Sequence, residues 1–328
     1  MKKSMNTLQQ FVSLSYHYVR PKINPFPRIL GNDVDEFQNH IKMLQKNYSI
    51  ISPNDILDFY YGARDFDKSK NILLTFDDGL SEHFEVAKIL HECDIKAIFF
   101  IPTCILDERL PANPMIIHYC IAEFGIGKFL KTYNEILKEL KLMDNKDYDI
   151  QYNESHDNAW DKINKIKFLF KYKIEHTLSR KILIKIFEDL FMPKFPRCLE
   201  MIHLDENKVR GIINMGHTIG THSHTHLSIG ATKLNSNDLE KELIYPKKFL
   251  EKKFGIEISS FSYPFGETQD CLSAPTLLTI TKEYKLAFNL EEKMNTKNTS
   301  PLQLGRIMPT SAYTTEKLSD TIEKIFRS

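Results

Sequence analysis

The apolar positions of this chain repeat with two different periods, and their alternation predicts a fold. NILLTF (71–76) is an apolar run that ends in Asp77-Asp78-Gly79, the pattern of a strand buried on both faces of a parallel sheet. A helix follows that carries Phe84, Ala87, Ile89 and Leu90, and then a second apolar run, IKAIFF (95–100). Strand, helix and strand at this spacing form a βαβ unit. Before it, Leu14–Val19 reads as a strand. VDEFQNHIKML puts Val34, Phe37, Ile41 and Leu44 on one helical stripe, YSIIS near residue 50 reads as a strand, and Pro53-Asn54-Asp55 starts a short helix.

The rhythm breaks after Pro102. Helical periodicity over Ile121–Leu142, Trp160–Tyr172 and Leu178–Leu190, with a polar linker at 144–158, predicts a helical insertion over 104–203, a cap or lid within a single domain spanning 1–328. The α/β pattern resumes with a helix over DENKVRGIINMG, where Gly216 closes the helix. Strands at HTIGTH, FSY (261–263), LAF and Leu304–Ile307 then alternate with helices over Asp238–Phe254, Thr276–Tyr284 and Thr315–Phe326.

Composition narrows the partners. Lys+Arg and Asp+Glu nearly cancel (44 against 43), so no field of one sign argues for nucleic acid or an anionic membrane. No stretch approaches the roughly 20 apolar residues of a spanning helix. The N-terminal stretch has no apolar run of signal-peptide length, and the five scattered cysteines share no CxxC spacing. Together these predict reduced thiols and a cytoplasmic setting.

Two stretches carry candidate chemistry. Asp77 and Asp78 end a strand, and because adjacent side chains alternate, one carboxylate can ligate a metal while the other faces a reacting water. GTHSHTHL (220–227) holds His222, His224 and His226. In a helical turn His222 and His226 share a face and His224 points away; in a strand all three share one face. Gly220 and Ser223 favour a turn entering a helix. Both stretches follow predicted strands, so both reach the same mouth of an α/β fold, where ligands bind. His83 reads as a helix-surface residue and His217 as structural.

TFDDG together with His222-Ser223-His224-Thr225-His226 resembles the polysaccharide deacetylases of carbohydrate esterase family 4, the NodB-homology fold. Gly216-His217-Thr218-Ile219-Gly220, Ser15-Tyr16-His17-Tyr18-Val19 and the stretch Phe261–Gly266 resemble further family motifs. The resemblance covers roughly 12–103 and 204–328, with the insertion outside it. It implies a distorted (β/α)7 barrel and a hydrolase that removes N-acetyl groups from an amino sugar or glycan precursor. It implies a divalent ion on Asp78, His222 and His226, with zinc the default and cobalt, nickel or manganese also fitting, and Asp77 as the base toward a metal-activated water. Two departures stand out. Ser262 occupies a position where many members carry the Arg that orients the base, and no histidine follows Leu302-Gln303-Leu304. Arg306 is the candidate to pair with Asp77, and His17 the candidate proton donor. Tyr263, Pro264 and Phe265 are candidate substrate contacts, with a backbone N–H there for the oxyanion. The competing readings are a non-catalytic carbohydrate-binding relative that keeps the metal, and a deacylase for a different acyl group.

Overall fold

Seven short parallel strands close into a barrel in the computed structural model, which describes residues 9–62, 65–66, 68–151, 158–271 and 273–327. In chain order they are β1 (Gln10–Tyr16), β2 (Asn71–Phe76), β3 (Ile98–Ile101), β4 (Thr218–Thr221), β5 (Ser260–Ser262), β6 (Leu286–Phe288) and β7 (Arg306–Ile307). Each pairs with the next in parallel, from Ser15↔Thr75 through Thr75↔Ile98, Phe99↔Ile219 and Thr221↔Phe261 to Phe261↔Ala287. Closure is made by a short segment: Leu304 bridges Phe288, and Arg306 and Ile307 pair with Ser13 and Leu14 of β1.

Period-two alternation on these strands builds two cores. Val12, Leu14, Ile72, Leu74, Phe76 and Phe99 point outward and pack under the helices. Phe11, Leu73, Ile98, Phe100, Phe288 and Leu304 point inward and fill the lower barrel, which Ile56 and Phe59 of the helix Pro53–Tyr61 seal from below. Above that apolar plug the inward positions turn polar: Ser13, Ser15, Thr75, Asp77, Ser262 and Arg306 are all buried. The upper lumen is therefore a polar chamber under the mouth formed by the strands' carboxyl ends.

Between β3 and β4 the chain leaves the barrel for helices at Asn113–Glu139, Ala159–Phe168 and His176–Leu190. The first begins earlier than its periodicity suggests, because Asn113-Pro114 supplies an N-terminal proline. It kinks at Gly125, whose φ of +81° departs from helical geometry. Part of the predicted polar linker, residues 152–157, lies outside the described residues. Among the described residues no helix is long and apolar enough to cross a membrane.

Two local expectations are corrected. The His222–His226 segment forms no helix; it is an irregular turn after β4. His83 is not on a helix surface but fully buried, its Nε2 donating to the His17 carbonyl at 2.8 Å. His217, by contrast, is structural: Ala97 N–H donates to its Nδ1 at 3.3 Å and its Nε2 donates to the Ala87 carbonyl at 2.9 Å.

Burial pushes the His217 imidazole down to about 4 from its ordinary 6.5. Below 6.5 the unfolded chain takes up a proton that the folded chain refuses, so this stability is complete above pH 6.5 and is lost as pH falls toward 4. Thermal unfolding of the wild type should fall over that window, and less steeply in His217→Gln; equal slopes for the two would exclude the imidazole as a contributor. A second expectation concerns Gly220 in β4, where an added Cβ would meet the Phe100 ring at 2.4 Å. Gly220→Val should cost about 1–3 kcal/mol of stability through overpacking, read by urea denaturation.

Candidate metal centre at the barrel mouth

The sequence Asp77-Asp78-Gly79 leaves the end of β2 and turns sharply. Asp77 continues the strand's inward alternation into the polar chamber. Asp78 takes a left-handed φ of 77° and Gly79 follows at 57°. That conformation turns the second carboxylate across the mouth, toward the turn after β4. There Ser223 and His226 are also left-handed, at 58° and 65°, and Phe265 on the neighbouring turn has φ 65°. Four non-glycine residues in a conformation that costs of order 1 kcal/mol each therefore crowd one site.

These turns bring Asp78, His222 and His226 together, all buried, with ligand-capable atoms within 4.8 Å of one another. Asp78 Oδ1 lies 3.5 Å from His222 Nε2 and 3.2 Å from His226 Nε2. It is a buried carboxylate oxygen that receives no hydrogen bond. His222 Nδ1 donates to the Ser262 carbonyl at 2.8 Å, which fixes the tautomer and leaves Nε2 with its lone pair toward Asp78. An unsatisfied buried oxygen facing two imidazole nitrogens is an arrangement that a cation completes, and the mixed N/O donors suit zinc or a similar divalent ion.

His224 is turned the other way. Its Nδ1 meets Thr103 Oγ1 at 2.8 Å and its Nε2 meets Glu108 Oε1 at 3.0 Å. The backbone of the same turn is held from outside by Glu242, which accepts from the N–H groups of His224 and Thr225, each at 3.0 Å, and from Thr225 Oγ1 at 2.8 Å. Glu242 lies in a single π-helical turn, Glu240–Ile244, inside an otherwise regular helix. No spacing in the sequence ties it to the histidines, and sequence reasoning missed it.

Asp77 sits directly behind this cluster. Arg306, fully buried, grips it with two hydrogen bonds of 2.8 Å, Nη1 to Oδ1 and Nη2 to Oδ2. Ser262 Oγ donates to the same Oδ2 at 3.0 Å and receives an Arg306 Nη2 bond at 2.8 Å. The remaining guanidinium donors reach Thr75 Oγ1 and the Asn289 carbonyl, each at 3.0 Å. Burial alone would raise the Asp77 pKa, but the Arg306 guanidinium and then the nearby His222 outweigh it and hold the carboxyl well below the usual range. His17 Nε2 stands 4.0 Å from Asp77 Oδ2, and the His17 Nδ1 is buried without a hydrogen-bond partner.

A cleft of about 240 Å³ opens above these groups. His17, Asp77, Asp78, His222, His226, Tyr263 and Phe265 line its barrel side. The insertion supplies the opposite wall, including Met115, His118, Lys167, Phe170, Lys171 and Leu183, none of which carries a motif. Phe265 packs edge-on to His226, with ring centroids 4.7 Å apart, and Lys171 Nζ lies 4.0 Å from the Phe265 ring centre. Pro264 is buried within its turn and is not part of the cleft lining. The backbone near Tyr263–Phe265 offers less to an oxyanion than the sequence suggests. Tyr263 N–H is already spent on the Phe288 carbonyl at 2.9 Å, and proline has no N–H, which leaves Phe265.

The polysaccharide deacetylase family model matches residues 168–286. Over these residues, which are less than half of the chain, it is similar to polysaccharide deacetylases. The matched span holds the histidine turn and the Phe261–Gly266 stretch, begins inside the helical insertion, and leaves Asp77 and Asp78 to its N-terminal side. Solved structures agree on the fold. The Streptococcus pyogenes deacetylase PplD in complex with acetate is 15% identical, with a TM-score of 0.60 over 96% of this chain and 99% of that one. A de-N-acetylase from Aggregatibacter actinomycetemcomitans is 12% identical, with a TM-score of 0.55 over 95% and 99%. IcaB from Ammonifex degensii is 13% identical, with a TM-score of 0.51 over 96% and 97%. No curated protein matches the chain. Proteins of this family are hydrolases acting on carbon–nitrogen bonds other than peptide bonds.

Removing one partner of a buried ion pair strands the other. Arg306→Met should therefore destabilise the fold by about 3–5 kcal/mol. Asp77→Asn in that background should recover part of the loss. A double-mutant cycle in urea is expected to give a coupling above about 1 kcal/mol, and additive effects would mean that the two side chains do not depend on each other.

Proposed function

We propose that the chain is a divalent-metal-dependent N-deacetylase acting on an acetylated amino sugar or a glycan precursor. One observation carries this reading: Asp78, His222 and His226 converge with their ligand atoms within 4.8 Å, beside a second carboxylate, Asp77, that is held apart by Arg306. A module that only bound sugar would have no use for the second carboxylate.

Asp78 Oδ1 and the Nε2 atoms of His222 and His226 would hold the ion. When bound, it supplies Lewis acidity that polarises an amide carbonyl and lowers the pKa of water. The remaining work falls to side chains. Asp77, kept ionised and fixed in direction by Arg306 and Ser262, takes the proton from the attacking water. Its low proton affinity makes it a weak base, which suits a water already acidified, and lets it pass that proton on readily. His17, between Asp77 and the cleft, delivers a proton to the departing amine. Phe265 N–H would donate to the developing oxyanion. Tyr263 and Phe265 form the apolar floor on which a sugar ring rests. The helical insertion 104–203 acts as the cap that limits what enters. The five thiols, none of them in a disulfide, support work in a reducing, cytoplasmic compartment.

Acetate release from a panel of N-acetyl sugars, with metal analysis of the same protein, tests the assignment. Asp77→Asn should lower kcat by about 10²–10⁴ while metal content stays at one ion per chain. Asp78→Ala and His222→Ala should lose both metal and activity. Normal turnover by metal-loaded Asp77→Asn would remove Asp77 from the role of base.

A further inference from the structure

The catalytic cleft does not end at the insertion. It shares Ile117, His118 and Lys167 with a second cavity of about 210 Å³, which lies between the loop after β1 and the insertion helices. The walls of that cavity are mostly apolar: Leu30 and Ile29 from the loop, Ile121, Ile163 and Trp160 from the helices. Two of these are unusually bare for their type, Leu30 at 61% and Trp160 at 60% exposed. Isolated exposed apolar side chains need no explanation, but a contiguous set lining a groove that opens off a reaction site does.

Lys167 stands where the two spaces meet and lines both. Burial pushes its pKa down. Among the described residues no acidic group pairs with it, whereas its neighbour Lys171 is held by Asp270 at 2.7 Å. His118, the other polar group at the junction, is pushed by burial to about 3 and is neutral, bonded to Tyr18 Oη through Nδ1 at 3.1 Å. Among the described residues the junction thus carries one positive charge without a counter-charge, flanked on one side by the cleft and on the other by a mostly apolar groove whose lining also includes Arg28.

We propose that this groove is a subsite for the hydrocarbon chain of an amphipathic substrate, with Lys167 binding an anionic group that joins the chain to the acetylated sugar. The assignment of a chain-bearing, anionic glycan precursor rests on the deacetylase reading. Continuity with the cleft and the buried lysine favour an anionic amphiphile, and the groove's position orders the parts: sugar in the cleft, anion at the junction, chain outward.

Trp160 is the chain's single tryptophan, so its emission reports this groove alone. Monomeric decyl phosphate and decanoate should each produce a saturable blue shift, with phosphate and carboxylate compared to identify the favoured anion. Inorganic phosphate should leave the emission unmoved. Lys167→Met should weaken decyl phosphate about tenfold while leaving neutral decyl glucoside unchanged. Leu30→Asp, an exposed change that spares folding, should weaken every chain-bearing ligand. The proposal is overturned if neither anionic ligand shifts the emission, if Lys167→Met binds both as the wild type does, or if only phosphatidylglycerol vesicles act, which would mean surface docking instead. Acetate release from soluble N-acetyl sugars is measured alongside. Its absence would condemn the deacetylase reading without touching the fluorescence result, and its presence with an unmoved tryptophan would condemn the subsite alone.

Discussion

The guanidinium of Arg306 is the constraint on which the upper barrel depends. It is fully buried, and its five N–H donors meet five acceptors: two Asp77 oxygens, Thr75 Oγ1, Ser262 Oγ and the Asn289 carbonyl. A charge in that position is tolerable only because it is paired and every donor is satisfied. The same bonds cross the lumen between β7, β2 and β5. The short closing strand, with two residues paired to β1, is thereby tied to the opposite wall through a side chain rather than a long ladder. Below the guanidinium the rings of Phe100 and Phe288 lie 5.7 and 5.9 Å from its centre, which keeps water out and strengthens the pairing above.

This network also explains a substitution that looks damaging in the sequence alone. The resemblance leads to the expectation of an arginine at position 262; in the structure an arginine reaches Asp77 from β7, and Ser262 is a hydrogen-bond partner to both Asp77 and Arg306. An arginine that reaches the carboxylate from β7 requires small side chains around it, and Ser15, Ser262 and Thr75 meet that need.

Much of the barrel was legible from periodicity, because strands buried on both faces are nearly unbroken apolar runs; NILLTF coincides with β2 at both ends. The convergence of Asp78, His222 and His226 is expected from the family resemblance together with residue type and spacing, but the local reason that spacing suggests is partly wrong. An i, i+4 pair suggests a helical face, whereas the observed turn has Ser223 and His226 left-handed, and that backbone is what points the two imidazoles the same way. Left-handed serine and histidine leave no mark on an apolar pattern. Closure by two residues of β7, the π-turn that presents Glu242, and the groove beside Trp160 were illegible for a related reason. Each depends on contacts between segments far apart in the chain, and local propensity carries no record of them.

The third histidine shows how the insertion and the histidine turn are coupled. Glu108 accepts from His224 on one oxygen and from Arg180 on the other, at 3.0 Å each, so the turn that carries His222 and His226 is linked to the helix His176–Leu190 of the insertion. The His224 bond, despite burial of the carboxylate, holds the Glu108 pKa well below the ordinary range, so the carboxylate stays ionised and the link stays intact at neutral pH. A second link runs from Lys171 to Asp270, which also accepts from Ser228, two residues past His226. Two charge-assisted connections, one on each side of the ligand turn, make it costly for the cap to shift without disturbing His222 and His226. The arrangement of Asp78, His222 and His226 and the shape of the cleft are then set together, because Lys171, which lines the cleft, also braces the turn that carries both histidines through Asp270.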